Sequence, residues 1–312
     1  MNGDCRTPIA SSDQLLEQAA FDSHRSRKQS PLWNHHLRQC LSSPADSGVW
    51  IVSKRTTIQQ EEEVIESVAQ VDLAKQGIRL FCRDPLDAFA CSAAVEVTRA
   101  ALDLLPSETS VDDKRENGSE NTRSVLFKAL DRRLISVLQD SLGGNYNVTT
   151  VFHSKCGMWV CPTLQRNNNE EDLHSIPSNA FLRSLTQYDA VLVNSRWTYA
   201  GNGSLDMIQT MIARGGGCCG LQVDGTLVAW VCQYLDGALG MLWTEEGHRK
   251  RGYVSMVMRA AVKSIQSASE SNDEPVVAFV VDDNQASSEL LTKLKWERVA
   301  DADWVRLSFE RK

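Results

Sequence analysis

The sequence predicts an α/β protein with two domains on mixed sheets. Three observations point there. Helical and strand patterns alternate between residues 49 and 161. A polar stretch with Asn167-Asn168-Asn169 at its centre follows, without apolar periodicity. Beyond residue 180, a three-strand meander leads into a helix–strand–helix–strand run. Such alternation places helices on the faces of a sheet. The expected organisation is a polar segment over 1–45, an α/β domain over 46–164, a linker over 165–179 and a second domain over 180–312.

The bulk numbers fit this plan. A chain of 312 residues is long enough for two ordinary cores. Its 42% hydrophobic and 23% charged content is that of a globular protein. A net charge of −7 argues against nucleic-acid binding by bulk charge. No apolar run reaches the length of a spanning helix. The N-terminus has no signal-like apolar core and carries Asp4, Asp13, Glu17 and Asp22. The expected location is therefore intracellular, cytoplasmic rather than mitochondrial. Cys218 and Cys219 are neighbours in an expected strand and would point to opposite faces, which disfavours a bridge. Cys156 and Cys161 lack a second ligand pair at metal spacing, so no metal is expected. The oligomeric state is not encoded in any pattern found.

In the first domain, a short helix is expected near Leu15 to Ala20 and a strand at Val49 to Val52. Val64, Val68 and Val71 share a helical face, which predicts a helix over Glu61 to Lys75 that ends before Gly77; its Glu61-Glu62-Glu63 start suits the helix dipole. Ile78 to Cys82 reads as a strand. Asp84-Pro85 reads as a cap followed by a first-turn proline, opening a helix to about Leu105. Pro106 to Arg123 reads as a loop, and Ser124 to Leu142 as one helix stopped by Gly143-Gly144. Strands are expected near Tyr146 to Phe152 and Gly157 to Cys161.

In the second domain, Phe181 to Leu185 reads as a strand, and Thr186 can cap a helix through Trp197. A second helix runs from Ser204 to Ala213. Cys218–Val223, Thr226–Tyr234 and Ala238–Thr244 form the meander, with turns at Asp224-Gly225 and Asp236-Gly237. A helix from Tyr253 to about Gln266, a strand over Pro275–Val281, a helix over Asn284–Leu294 and a strand over Trp304–Phe309 complete it. Trp197 and Trp230 are read as core residues.

Between the meander and the next helix lies Arg249-Lys250-Arg251-Gly252-Tyr253-Val254. A basic, glycine-containing loop at a helix start is a cradle for a pyrophosphate. Unpaired amides and the positive end of the helix converge there, and the cations hold the charge. The bland reading is a solvated basic turn.

Three segments resemble the GNAT acyltransferases. Arg249, Gly252 and Val254 occupy the marked positions of the family's Gln/Arg-x-x-Gly-x-Gly/Ala loop, with Val254 in place of a small residue. Asn284 to Trp296 is similar to the family's Asn-x-x-Ala-x-x-Leu-Tyr-x-Lys-x-Gly-Phe, with Ser287, Leu291 and Lys295 departing from it. Asp189 to Asn202 resembles the Val-Asn-x-x-Trp-x-x-x-Gly-Asn segment of glycine N-acyltransferases and their paralogues. The likeness covers residues 180–312 well and extends more distantly to a divergent, GNAT-like first domain.

The resemblance implies a GNAT fold and acyl-CoA or acetyl-CoA as co-substrate, with acyl transfer to a small amine such as glycine. It implies that backbone groups of Met241, Leu242 and Trp243 face the pantetheine arm. The loop from Arg249 to Val254, with Lys250, Arg251, Gly252 and Tyr253, would hold pyrophosphate, and Asn284 would line the site besides capping its helix. Asn194 is a weak substrate-contact candidate. The family's general base falls on Ala238 and its thiolate acid on Leu291, and neither can exchange a proton. Glu245 and Glu246 are the nearest carboxylates and read first as surface charge. The missing acid and base raise two alternatives. One is an acyl-CoA-binding pseudoenzyme or sensor; the other is a peptide or protein N-acetyltransferase.

Overall fold

The structure is a computed structural model that describes residues 49–56, 63–72, 76–105, 122–161, 177–268 and 275–312. The expected helix near Leu15 to Ala20, most of the Pro106–Arg123 loop and most of the 165–179 linker lie outside these residues. The chain divides into two compact units. One comprises Met1–Met158 and Val299–Lys312, the other Trp159–Arg298.

The first unit begins with three antiparallel strands, β1 (Val49–Thr56), β2 (Glu63–Asp72) and β3 (Gly77–Cys82). The helix expected over Glu61–Lys75 is thus a strand. Val64, Ile65, Val68 and Val71 are β-branched and suit a pleated surface. Ser67, Val68 and Ala69 are buried in succession, so both faces of β2 are covered and no helical stripe exists. The four-three spacing of the valines is compatible with either element. Glu63 opens a strand rather than a helix, and Glu61 and Glu62 lie outside the described residues.

Helix α1 (Ala88–Leu104) starts three residues later than the Asp84-Pro85 pattern suggests. Asp84 closes a turn by accepting from the Leu86 amide at 2.9 Å, and Asp87 is the cap, accepting from the amides of Phe89 and Ala90. The single helix expected over Ser124–Leu142 is a strand, β4 (Thr122–Asp131), followed by helix α2 (Arg132–Leu142). Val125, Phe127 and Ala129 alternate inward along β4 with period two. Asp131 ends the strand and caps α2 through the Arg133 amide at 3.0 Å. Leu134, Leu138 and Leu142 then form a buried stripe at a spacing of four. Strand β5 (Tyr146–Ser154) follows, and the chain leaves the unit within β6 (Cys156–Val160).

The second unit runs through β7 (Ala180–Ser184), a 3-10 turn at Gln187–Asp189, α3 (Ala190–Arg196), α4 (Ser204–Arg214), β8 (Cys219–Val223), β9 (Thr226–Gln233), β10 (Leu239–Thr244), a 3-10 turn at Glu246–His248, α5 (Tyr253–Ala268), β11 (Val277–Val281) and α6 (Gln285–Lys293). This order matches the sequence expectation nearly residue for residue. Thr186 and Asp189 form the capping box that starts the α3 segment. Burial opposes charge on Asp189, but Arg183 and the Thr186 amide and hydroxyl outweigh it and hold the carboxyl below its ordinary range. Asp224 and Gly225 both have positive φ, the backbone of the tight hairpin that Asp-Gly predicts. Strands β7 to β10 are antiparallel, and α5 packs on one sheet face through Val257, Met258, Ala261 and Val262. Helices α3 and α4 cover the other through Val193, Ile208, Met211 and Ile212. Cys218 and Cys219 are buried in these two different clusters, as their alternation requires, and both are free.

The last strand, β12 (Glu297–Arg311), is longer than expected and pairs antiparallel with β4 and with β5. Its residues from Val299 onward therefore belong to the first unit, whereas the sequence places them with residues 180–298. Asp303 anchors it there and is fully buried. Its carboxylate accepts from Arg132 at 2.8 and 2.9 Å and from the Cys156 amide at 2.9 Å, and meets His153 Nε2 at 2.7 Å. Burial opposes its charge, but these partners outweigh it and the carboxyl sits below its ordinary range.

The two units share one plan: three antiparallel strands, a helix, a strand parallel to the third, and a helix. In each, the ladder of the parallel pair is short. β3 and β4 pair at Gly77–Leu126 and Ile78–Phe127, and β10 and β11 at Leu239–Ala278 alone.

Candidate functional site

The divergence of β10 from β11 makes a cleft in the second unit. Its cause lies in β10. Gly240 faces Cys232 and Trp243 faces Trp230, so β10 carries one residue more than β9 across this span. Met241 takes the extra residue's conformation, with φ 51. A bulge of this kind bends the strand and interrupts its ladder. Beyond Leu239, β10 thus runs without a strand partner on its β11 side.

A cavity of about 210 Å³ fills the cleft. Leu239 to Trp243 line one wall and Ala278 to Val281 the other, with Asn284, Ser287 and Leu291 of the α6 region and Arg196 to Tyr199 after α3. The walls are aromatic. Trp243 stacks on Trp230 with ring centroids 6.4 Å apart, and Trp197 meets Tyr199 edge-on at 6.1 Å. The Arg249 guanidinium lies 5.4 Å from the Trp243 ring centre, in cation–π contact. The Trp243 indole nitrogen is buried and has no hydrogen-bond partner among the described residues. Arg196 is the only charged side chain among the described residues lining the cavity.

The basic loop connects β10 to α5. Lys250 and Gly252 both have positive φ, 60 and 78. Gly252 adopts this conformation without strain, and a Cβ there would be strained despite the open space around it. The Gly252 carbonyl accepts from the amides of Ser255 and Met256. The amides from Lys250 to Val254 donate to no group among the described residues, which leaves a row of free donors at the helix start. Arg249 Nε donates to the Thr244 carbonyl and Arg251 to the Gly247 carbonyl, both at 3.2 Å, so the two guanidiniums are held against their own loop. Tyr253 is buried and Val254 half-buried at the first turn of α5.

The two positions that the resemblance assigns to a base and an acid are buried. Ala238 and Leu291 are 1% and 2% exposed, and Leu291 lines the cavity. Glu245 pairs with Arg196 at 3.0 Å and is not on the cavity wall; Glu246 is exposed in the 3-10 turn. Asn194 accepts from the Ser204 hydroxyl at 2.6 Å, which ties α3 to α4, and lies off the cavity wall. Asn284 caps α6 through the Ser287 amide at 3.1 Å while lining the cavity, so its two expected roles coexist. Sequence reasoning missed Tyr234, whose ring lines the cavity. A tyrosine one residue after a strand carries no signal that separates it from a turn residue.

The first unit has a corresponding parallel pair, β3 and β4, but a different loop. Arg83-Asp84-Pro85-Leu86-Asp87 stands between β3 and α1, and its two carboxylates occupy the turn and helix-start amides. An anion at that position would meet two negative charges and filled donors.

Residues 217–305 match the family model described as FR47-like protein. No curated protein sequence matches the chain. Among solved structures, a Drosophila protein is 18% identical, with 98% of this chain and 99% of that one covered and a TM-score of 0.66. A tandem GNAT protein from the clavulanic acid biosynthesis pathway is 13% identical, with 98% of each chain covered and a TM-score of 0.53. The fold is the GNAT fold. Its tandem form accords with the plan shared by the two units, and the FR47-like match covers most of the second unit together with the loop and cleft.

Proposed function

We propose that the second unit is an acyl-CoA-dependent N-acyltransferase site that acts on a small amine, glycine or another amino acid. The observation that carries this reading is the cleft: a parallel strand pair held at Leu239–Ala278 alone, with a bulge at Met241 and an aromatic cavity between the walls. Bound acyl-CoA supplies an activated thioester. The exposed backbone edge of Met241, Leu242 and Trp243 binds the amide-containing arm as a neighbouring strand would. The buried, unpaired indole N–H of Trp243 supports this fit, since such a donor calls for an acceptor atom. The amides from Lys250 to Val254, with Arg249 and Arg251, hold the pyrophosphate, and Asn284 lines the far wall.

The acceptor reading rests on Arg196, the only charged side chain lining the cavity among the described residues, whose Nε pairs with Glu245 and whose remaining N–H groups can meet a substrate carboxylate. The likeness of Asp189–Asn202 to glycine N-acyltransferases points the same way. Proximity supplies much of the acceleration when no carboxylate base is present. The test is thiol release from an acyl-CoA panel with amino acids and a short peptide as acceptors. Release that depends on glycine or another small amino acid supports the reading.

A second reading is favoured by the burial of Ala238 and Leu291: an acyl-CoA-binding module without catalysis. Thermal stabilisation by acyl-CoA with no thiol release for any acceptor would establish it, and measurable turnover would remove it.

A further inference from the structure

The acid and base positions of the cleft are filled by Leu291 and Ala238, yet the cavity wall holds one sheltered phenol. Tyr234 follows β9 at the start of the turn into β10. Its amide donates to the Ala238 carbonyl and its carbonyl accepts from the Gly237 amide, both at 2.8 Å, so its backbone is fixed on two sides. Its ring lies against Gly240, where an added Cβ would overlap the ring edge. Glycine at 240 thus makes room for the ring beside the point where β10 and β11 part. The Trp197 side chain lies near the phenol and favours its charged form. A phenol carries one O–H proton that it can donate. No described residue accepts that proton. The other hydroxyls on the wall differ: Thr198 and Tyr199 are solvent-exposed, and Ser287 sits at the start of α6.

We propose that Tyr234 is the proton donor to the leaving sulfur, in place of the group that Leu291 cannot supply. This rests on the acyltransferase reading. Tyr234 gives its proton to the sulfur as the C–N bond forms and the C–S bond breaks. The sulfur keeps the bonding pair and leaves as a thiol. The tyrosinate then takes a proton from the newly acylated nitrogen, which restores the phenol and balances the transfer. Burial pushes the phenol above its ordinary value, Asp236, Cys232 and Tyr199 add to this, and the neighbouring Trp197 partly offsets it. The group therefore stays protonated at neutral pH, and its proton moves only as negative charge builds on the departing sulfur.

The test compares thiol release by the full chain, Tyr234→Phe, Gly240→Ala and a chain with fluorotyrosine at position 234. Tyr234→Phe is expected to lower kcat about 100-fold with the KM for acyl-CoA within about twofold. Gly240→Ala, which displaces the ring but keeps the hydroxyl, should also lower kcat. The more acidic fluorotyrosine should raise kcat, since it gives up its proton to the sulfur more readily, which a packing role would not do. If Tyr234→Phe keeps kcat within about threefold, or fluorotyrosine leaves kcat unchanged, the proposal is overturned while the acyltransferase reading stands. If the full chain binds acyl-CoA but releases no thiol with any acceptor, the acyltransferase reading falls and takes the proposal with it.

Discussion

Replacing Arg249 and Arg251 with alanine removes two of the three cations of the loop while leaving its glycine and amides in place. The structure sets the size of the effect. Both guanidiniums are exposed, so each attracts a nearby phosphate charge by about 1 kcal/mol in a water-like dielectric and more where protein replaces water. Both are also tied to loop carbonyls, which lowers the ordering cost of binding. Arg249 in addition covers the Trp243 ring. A loss of about 2.5 kcal/mol for the pair is expected, or about 70-fold in the Kd for CoA. Calorimetric titration with CoA at low and high salt measures it. The variant should also show a shallower salt dependence than the parent, because two screened attractions are gone. An affinity within about threefold of the parent at low salt would refute the assignment of the loop to pyrophosphate.

Further expectations follow from the first unit. Asp84 and Asp87 fill the donors of its own loop, so the full chain should bind one equivalent of CoA, and a calorimetric stoichiometry of two would contradict this. Asp303→Asn should destabilise the chain by about 2 kcal/mol in denaturant titration, since it removes the buried carboxylate shared by Arg132, His153 and the Cys156 amide while Arg132 keeps Asp301 at 3.0 Å. The carboxyl of Asp303 lies below its ordinary value in the folded state. Its contribution is therefore full above the unfolded value of about 3.9 and is lost as pH falls through the folded value. The acid limb of stability should accordingly be flatter in Asp303→Asn than in the parent.

The second unit was legible because its punctuation is strong. Asp224-Gly225 and Asp236-Gly237 mark the hairpins, the Thr186 box starts α3, and the three-four spacing from Tyr253 predicts α5. The first unit was less legible because its signals conflict. Val64, Val68 and Val71 fit a helix by spacing, and only pairing on both sides of β2 selects the strand. The β4–α2 junction lies at Asp131-Arg132-Arg133, where period two passes into period four without a glycine or proline. The shared plan of the units was hidden because their loops have opposite charge, Arg249-Lys250-Arg251 against Asp84 and Asp87. The partners of β12 depend on long-range ladders to β4 and β5, which local patterns do not encode. At the site, the loop and Asn284 carry motifs, and the bulge at Met241 and the role of Gly240 do not. Gly240 has meaning only beside Tyr234, six residues earlier and across a turn.

The central claim is that the cleft between β10 and β11 performs acyl transfer. The direct measurement is thiol release by the purified full chain with an acyl-CoA panel and small amino acids, with the amide product identified by mass. Release that requires both substrates, yields the N-acyl amino acid and falls in Tyr234→Phe is the predicted result. Saturable binding of acyl-CoA with no thiol release for any acceptor would contradict it.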